Sequence, residues 1–199
     1  GIPAIAYPGR DVAPNTTRNY EGTRIVPGLS GGAVVGYNQS TGAPSFDGPV
    51  FTFLDGAMNT RFSVKPATSF GNNVMQDIVP DGSGGAHVWI RSADVSANVT
   101  WYLSHITGSG AALPALPGAY LFAENFGPSY ALATGADGTA LLGWSPSVIG
   151  YDVQMQRMSA AGNLLWSSPY LVQGANTQII GSIVPDATGG AIVTYVDQR

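Results

Sequence analysis

The chain has 199 residues, only 10% of them charged, with 27 Gly, 14 Pro, no Cys and a net charge of −4. That length carries one domain with a substantial core, and a hydrophobic fraction of 44% excludes a disordered chain. A single lysine, Lys65, leaves no basic stripe for nucleic acid; the lack of Cys removes disulfides and thiolate chemistry; and no apolar run is long enough for a membrane-spanning helix.

In chain order, residues 1 to 9 (GIPAIAYPG) read as an outermost strand detached from its sheet. Residues 25 to 37 then read IVPGLSGGAVVGY, a pattern written again at 78 to 89 (IVPDGSGGAHVW), 132 to 144 (LATGADGTALLGW) and 183 to 195 (IVPDATGGAIVTY). Aligned on Ala33, Ala86, Ala140 and Ala191, the copies are spaced by 53, 54 and 51 residues. In each copy a short apolar strand leads into a turn rich in Gly and Asp, where positive φ angles are needed. A proline ends that strand in three copies but not in the third. A second strand starts at the shared alanine and runs apolar at consecutive positions, as expected where both faces of a sheet are covered. Tyr37, Trp89, Trp144 and Tyr195 close the copies, one large aromatic each, and are expected to fill the space between sheets.

The stretches between copies supply two more strands each. Residues 151 to 172 (YDVQMQRMSAAGNLLWSSPYLV) divide at an Ala-Ala-Gly-Asn turn, and 50 to 70 and 99 to 122 fill the same places with looser agreement. Four strands per period of about 50 residues predict an all-β fold, a β-propeller of about four blades or part of a larger propeller, with four-stranded antiparallel blades. The chain 1–199 is then one propeller domain or a propeller fragment. Its repeats span approximately 18–70, 71–123, 124–173, and 174–199 together with 1–9. In this frame the last blade lacks its third strand, and the expectation divides in two. Residues 1 to 7 close a ring beside residues 183 to 196, or the chain is an excerpt that self-associates or sits in a larger assembly.

The fourth copy, PDATGGAIVTYVDQR, and the third copy's YDVQMQRMSAAGNLLW resemble the secreted bacterial propeller repeats of the form D-G-x-G-G-A followed by two apolar residues, x-W-x-D-x-R, a Y-x-Q-R strand and a G-N-x-L-W turn. The resemblance implies an extracellular or cell-surface module in which the repeat is scaffold, serving adhesion, protein-protein contact or assembly, with a protein or a cell-surface glycan as partner. A carbohydrate-binding propeller is the alternative, and a glycan-processing enzyme domain the third reading.

Chemistry-bearing residues are sparse. Ser30 and Ser83 sit in Ser-Gly-Gly turns like the nucleophile turn of serine proteases, but Ala136 and Thr188 hold equivalent places, which suits a hairpin and not a nucleophile. His87 and His105, the only histidines, have no metal-binding spacing and read as packing residues. Asp81, Asp137 and Asp186 fall in the repeated turn, where a carboxylate accepts backbone N–H bonds; one acid per turn is too few for calcium. Ala136-Asp137-Gly138-Thr139 also resembles the Asp-box of sialidases, itself a structural turn. Trp101, Tyr102, Tyr120, Tyr130 and Tyr170 are the candidates for stacking on sugars. Sequons at Asn15, Asn38 and Asn98 are at chance frequency in a chain this rich in Ser and Thr. No catalytic, cofactor-binding or metal-binding residue is assigned.

Overall fold

The computed structural model describes residues 19–40, 48–66, 72–93, 99–113, 120–122, 126–146, 152–167, 170–172 and 177–198. These form antiparallel sheets and, apart from one 3-10 turn at Leu29–Gly31, no helix. The first sheet is a meander of β1 (Asn19–Pro27), β2 (Ala33–Ser40), β3 (Gly48–Leu54) and β4 (Thr60–Val64). The second runs β5 (Asn72–Pro80), β6 (Ala86–Ala93) and β7 (Val99–Ile106), with its fourth place shared by β8 (Ala112–Leu113) and β9 (Tyr120–Phe122), both paired to β7. The third holds β10 (Phe126–Thr134), β11 (Ala140–Pro146), β12 (Val153–Met158) and β13 (Tyr170–Val172). The fourth has only β14 (Gln178–Pro185) and β15 (Ala191–Asp197) among the described residues. Each sheet lies inside one sequence repeat. Residues 1 to 9, expected to complete the last one, lie outside the described residues.

The described hairpin loops close the same way. The residue entering the turn donates its N–H to the carbonyl four residues on, as in Gly28 to Gly32 (2.9 Å), Asp81 to Gly85 (3.2 Å), Gly135 to Thr139 (2.8 Å) and Asp186 to Gly190 (3.0 Å). This is a three-residue loop whose last residue must adopt a left-handed conformation. Gly31, Gly84, Gly138 and Gly189 do so, with φ between 75° and 92°. The same place in the β3–β4 turn belongs to Met58, at φ 62°. The second glycine of each pair is needed for space: a Cβ on Gly32 would strike the carbonyl of Leu54, and one on Gly85 that of Ile106.

Side chains alternate across each second strand: residues at even steps from the shared alanine face the preceding sheet in β6, β11 and β15, and those at odd steps face the following sheet in β2, β6 and β11. Val34, Phe51 and Phe53 of the first sheet accordingly pack with Ile78, Ala86, Val88 and Ile90 of the second. Leu141, Val153 and Met155 of the third pack with Ile180 and Ile183 of the fourth. Buried polar ties repeat with the sheets. Asn38 presents its amide like a backbone group, donating to Met75 O (3.0 Å) and accepting from Met75 N–H (2.6 Å). Ser145, five residues past its own shared alanine as Asn38 is, accepts from Ile180 N–H (2.8 Å). Asn38 is buried by this clamp and is no surface sequon.

The aromatic series is less uniform than the repeat suggests. Tyr37, Trp144 and Tyr195 stand four residues past the alanine, but Trp89 stands three past it, and a one-residue offset in a strand reverses the face. Trp89 therefore points toward the third sheet while Trp144 points back toward the second, and both enter one cluster with Trp101, Leu103 and Leu142. Trp89 stacks on Trp101 with ring centroids 5.3 Å apart. Trp89 occupies the place that Gly36 and Gly143 hold in their strands, where any Cβ would run into Met75 or Ile180 of the following sheet. Tyr195 is 43% exposed, contrary to the expectation that each such aromatic is enclosed, because β15 has no third strand beside it among the described residues.

Truncation of Trp89 to Ala should cost about 3 to 5 kcal/mol in a urea melt, whereas Tyr195→Ala should cost under about 1. Equal losses at the two sites would show that the burial difference is wrong. Met58→Gly should raise stability by about 0.5 to 1 kcal/mol, since it relieves a left-handed side-chain-bearing residue without removing a buried contact; an unchanged or lowered urea midpoint would count against the strain.

Candidate functional site

The turns between first and second strands lie side by side and gather most of the chain's reactive groups. Leu29 of the first turn packs on Gly84 of the second, the Gly138 backbone of the third lies against Asp81 O, and Arg157 reaches from the third sheet to Gly189 of the fourth. This row brings together Ser30, Ser83, Asp81, Asp137, Asp186, His87 and His105, all singled out from sequence, with Arg157, which was not.

Asp81 and Asp186 hold the entering position of their turns. Asp81 accepts from the N–H groups of Ser83 (2.7 Å) and Gly85 (2.8 Å), and Asp186 from those of Thr188 (2.8 Å) and Gly190 (2.7 Å). This is side-chain mimicry of a turn. Asp137 does not belong to that set. It sits two residues further into its turn, where it accepts from Thr139 Oγ1 (2.7 Å) and pairs with Arg157 Nη2 (2.6 Å). Asp55, in the β3–β4 turn, is the true third member, bonded by Ala57 N–H (2.9 Å) and Asn59 N–H (2.7 Å). Its Asp-Gly-Ala-Met turn falls in the loosely repeating half of its copy, which is why sequence comparison passed over it.

The Ser-Asp-His contacts do not compose a nucleophilic triad. Ser83 Oγ and the His105 ring both meet the same Asp81 oxygen, Oδ2, at 2.7 Å, so the serine donates to the acid and has no imidazole to take its proton. Burial works to raise the Asp81 pKa, but the Ser83 hydroxyl, His105 and the two backbone N–H groups outweigh it and hold the carboxyl below its ordinary range. A carboxylate so stabilised is a poor base. Ser30 lies in the 3-10 turn at φ 52°, exposed, and its backbone packs against Gly56. Asp137 is held low chiefly by Thr139, and Asp186 by the backbone of Thr188 and Gly190.

The His87 and His105 rings lie against each other, tilted by 32° with centroids 4.7 Å apart, both buried. His87 Nε2 is 2.7 Å from Gly138 O, an acceptor, so that nitrogen carries the proton and ties the second sheet to the third. Burial pushes the His87 pKa down to about 4, with the neighbouring His105 acting the same way and the Gly138 bond opposing. Among the described residues no three His, Asp or Glu side chains are grouped closely enough to hold a metal ion.

Arg157 anchors the far end of the row. Its guanidinium donates to Thr139 Oγ1 (3.1 Å), Gly189 O (2.7 Å) and Asp137 Oδ2 (2.6 Å), joining the third and fourth turns. Beside it an open cleft of about 240 Å³ is lined by Asp137, Asp186, Ala187 and Thr188. The sugar-stacking candidates go elsewhere. Trp101 and Tyr102 are buried, and Tyr130 is partly buried with its hydroxyl donating to Gln76 O (3.1 Å). The side chains of Tyr120 and Tyr170, like the sequons at Asn15 and Asn98, lie outside the described residues. No family model matches the chain, and no curated protein matches it.

Acidification should weaken the fold through His87. The unfolded chain takes up this proton near its ordinary value of 6.5, the folded chain only near 4, so the contribution is complete above the first value and fades as pH falls toward the second. Between pH 7 and 5 the loss is about 2 kcal/mol. Denaturant melts across that range should show it, and His87→Gln, which keeps an N–H for Gly138, should remove most of the slope. A slope unchanged in the variant would assign it to another group.

Proposed function

We propose that the chain is a β-propeller module, of about four blades or part of a larger propeller, that serves outside the cell or at its surface as a scaffold for adhesion and protein contact. The propeller reading is supported by successive antiparallel meanders stacked face to face in repeat order, with matching turns and matching inter-sheet ties. The scaffold reading is carried by one observation. The polar side chains that would do chemistry are used in building the turns, Asp81 closing its own and His87 and Arg157 tying one turn to the next, while the β14–β15 sheet leaves apolar side chains in solvent. Surfaces of that kind meet other macromolecules. The lectin alternative has lost Trp101 and Tyr102 to the core, and the glycan-processing alternative finds no acid–base pair among the described residues.

The reading predicts that labelled chain binds intact cells through surface protein. Binding should be lost when the cells are shaved with protease, and a glycan array should retain nothing. Retention of a defined glycan, or turnover of a glycoside, would replace the scaffold with one of the alternatives.

A further inference from the structure

We propose that the junction between the second and third sheets is an acid-sensitive joint. Protonation of His87 lets it gape about β5 and β10 while the junction of the first and second sheets stays shut, and so opens the face that carries Trp89 and Trp101 to solvent in acid.

The repeat changes at this junction and not at its neighbours. At one, three and five residues past the shared alanine, the places that face the following sheet, β2 presents Val34, Gly36 and Asn38, and β11 presents Leu141, Gly143 and Ser145. Each is an apolar residue, a glycine and a polar clamp onto the next sheet. In β6 the same places hold His87, Trp89 and Arg91. Arg91 forms no such clamp among the described residues. A titratable ring thus replaces an apolar side chain, and the bond that fixes the other two junctions at this point is missing.

Hydrogen bonds place the protons. His87 Nε2 donates to Gly138 O (2.7 Å), and His105 Nε2 lies 2.7 Å from Asp81 Oδ2. In both rings Nδ1 is buried with no hydrogen-bond partner among the described residues. A second proton on His87 must therefore enter at Nδ1, where no described group accepts it. The charged groups facing the ring offset this little. They are His105 on β7 and Asp81 in the turn before β6, whose carboxylate is already engaged by Ser83, Gly85 and His105. On the third sheet Asp137 and Arg157 flank the Gly138 turn, bonded to each other. A buried imidazolium in that position gains by moving to water, and burial holds the His87 pKa down to about 4.

The hinge lies along the first strands. Tyr130 donates its hydroxyl to Gln76 O (3.1 Å) and Thr134 its own to Pro80 O, tying β10 to β5 through groups that do not titrate between pH 7 and 5. At the adjoining turns Leu29 covers Gly84 on one side, and Arg157, a permanent cation, reaches Gly189 O on the other. None of this depends on the scaffold reading.

Thiol accessibility tests the joint in a chain that has no cysteine of its own. Ala86 and Ala140 are both 0% exposed, the first between sheets one and two and the second between sheets two and three. Ala86→Cys and Ala140→Cys are labelled with an aromatic disulfide, and each rate is divided by that of a cysteine peptide at the same pH. His87 takes up its proton near 6.5 in the open joint and near 4 in the closed one. The Ala140→Cys rate should therefore rise about 20-fold between pH 7 and 5, and the Ala86→Cys rate less than about twofold. Should either variant fail to fold, Leu142→Cys and Val88→Cys repeat the comparison two residues along. His87→Leu, which restores the apolar residue of the adjoining junctions, should flatten the Ala140→Cys profile. An equal rise at both thiols would mean whole-chain unfolding and overturns the proposal, as does a flat Ala140→Cys profile. A rise that persists in His87→Leu overturns His87 as the trigger.

Discussion

The structure depends on three second strands, β2, β6 and β11, that are buried on both faces. A strand between two covered faces cannot alternate polar and apolar residues, so Val34, Val88, Leu141 and Leu142 all lie inside, each turned toward one neighbouring sheet or the other. The stacking of sheets is therefore a condition for each sheet's existence. No sheet of this chain could bury its own central strand in isolation. The spacing between sheets is in turn set by what the facing residues supply. Two junctions use a glycine to admit Met75 or Ile180, and the middle one uses Trp89.

Polar side chains serve the same requirement. A stack of apolar faces alone tolerates sliding, because burial has no direction. Asn38 on Met75, Ser145 on Ile180, His87 on Gly138 and Arg157 on Gly189 fix the offset of each sheet against the next, since a buried amide, imidazole or N–H left unbonded is costly. These ties use residues that a functional reading would examine first.

Much of this was legible in the sequence because the repeat is strict where the physics is strict. The shared alanine, the Gly-Gly turns and the apolar second strand announce themselves, and the boundaries of the sheets follow the repeat. What escaped was whatever depends on parity or partnership. Trp89 looks equivalent to Trp144 until one counts the residue that places it on the opposite face. Asp137 looks equivalent to Asp81 because both precede glycine, yet the loop's hydrogen bonds place them at different corners. Asp55 and Arg157 belong to the less regular outer halves, where no repeat marks them. Their roles arise from contacts with Asn59, or with the adjacent turn, that a linear pattern does not contain.

The meander order of every sheet bears on how the chain reaches this state. Among the described residues each strand pairs with the one just before or after it, with only β9 reaching past β8, so these strands pair without waiting for a distant segment and the loop-closure entropy of each pairing is small. A chain emerging from a ribosome or a translocation pore can thus complete one sheet before the next is synthesised, each finished sheet offering an apolar template for the one that follows. The advancing front is then the exposed surface at any moment, and the point at which the growing polypeptide is most open to chaperones or to a wrong neighbour.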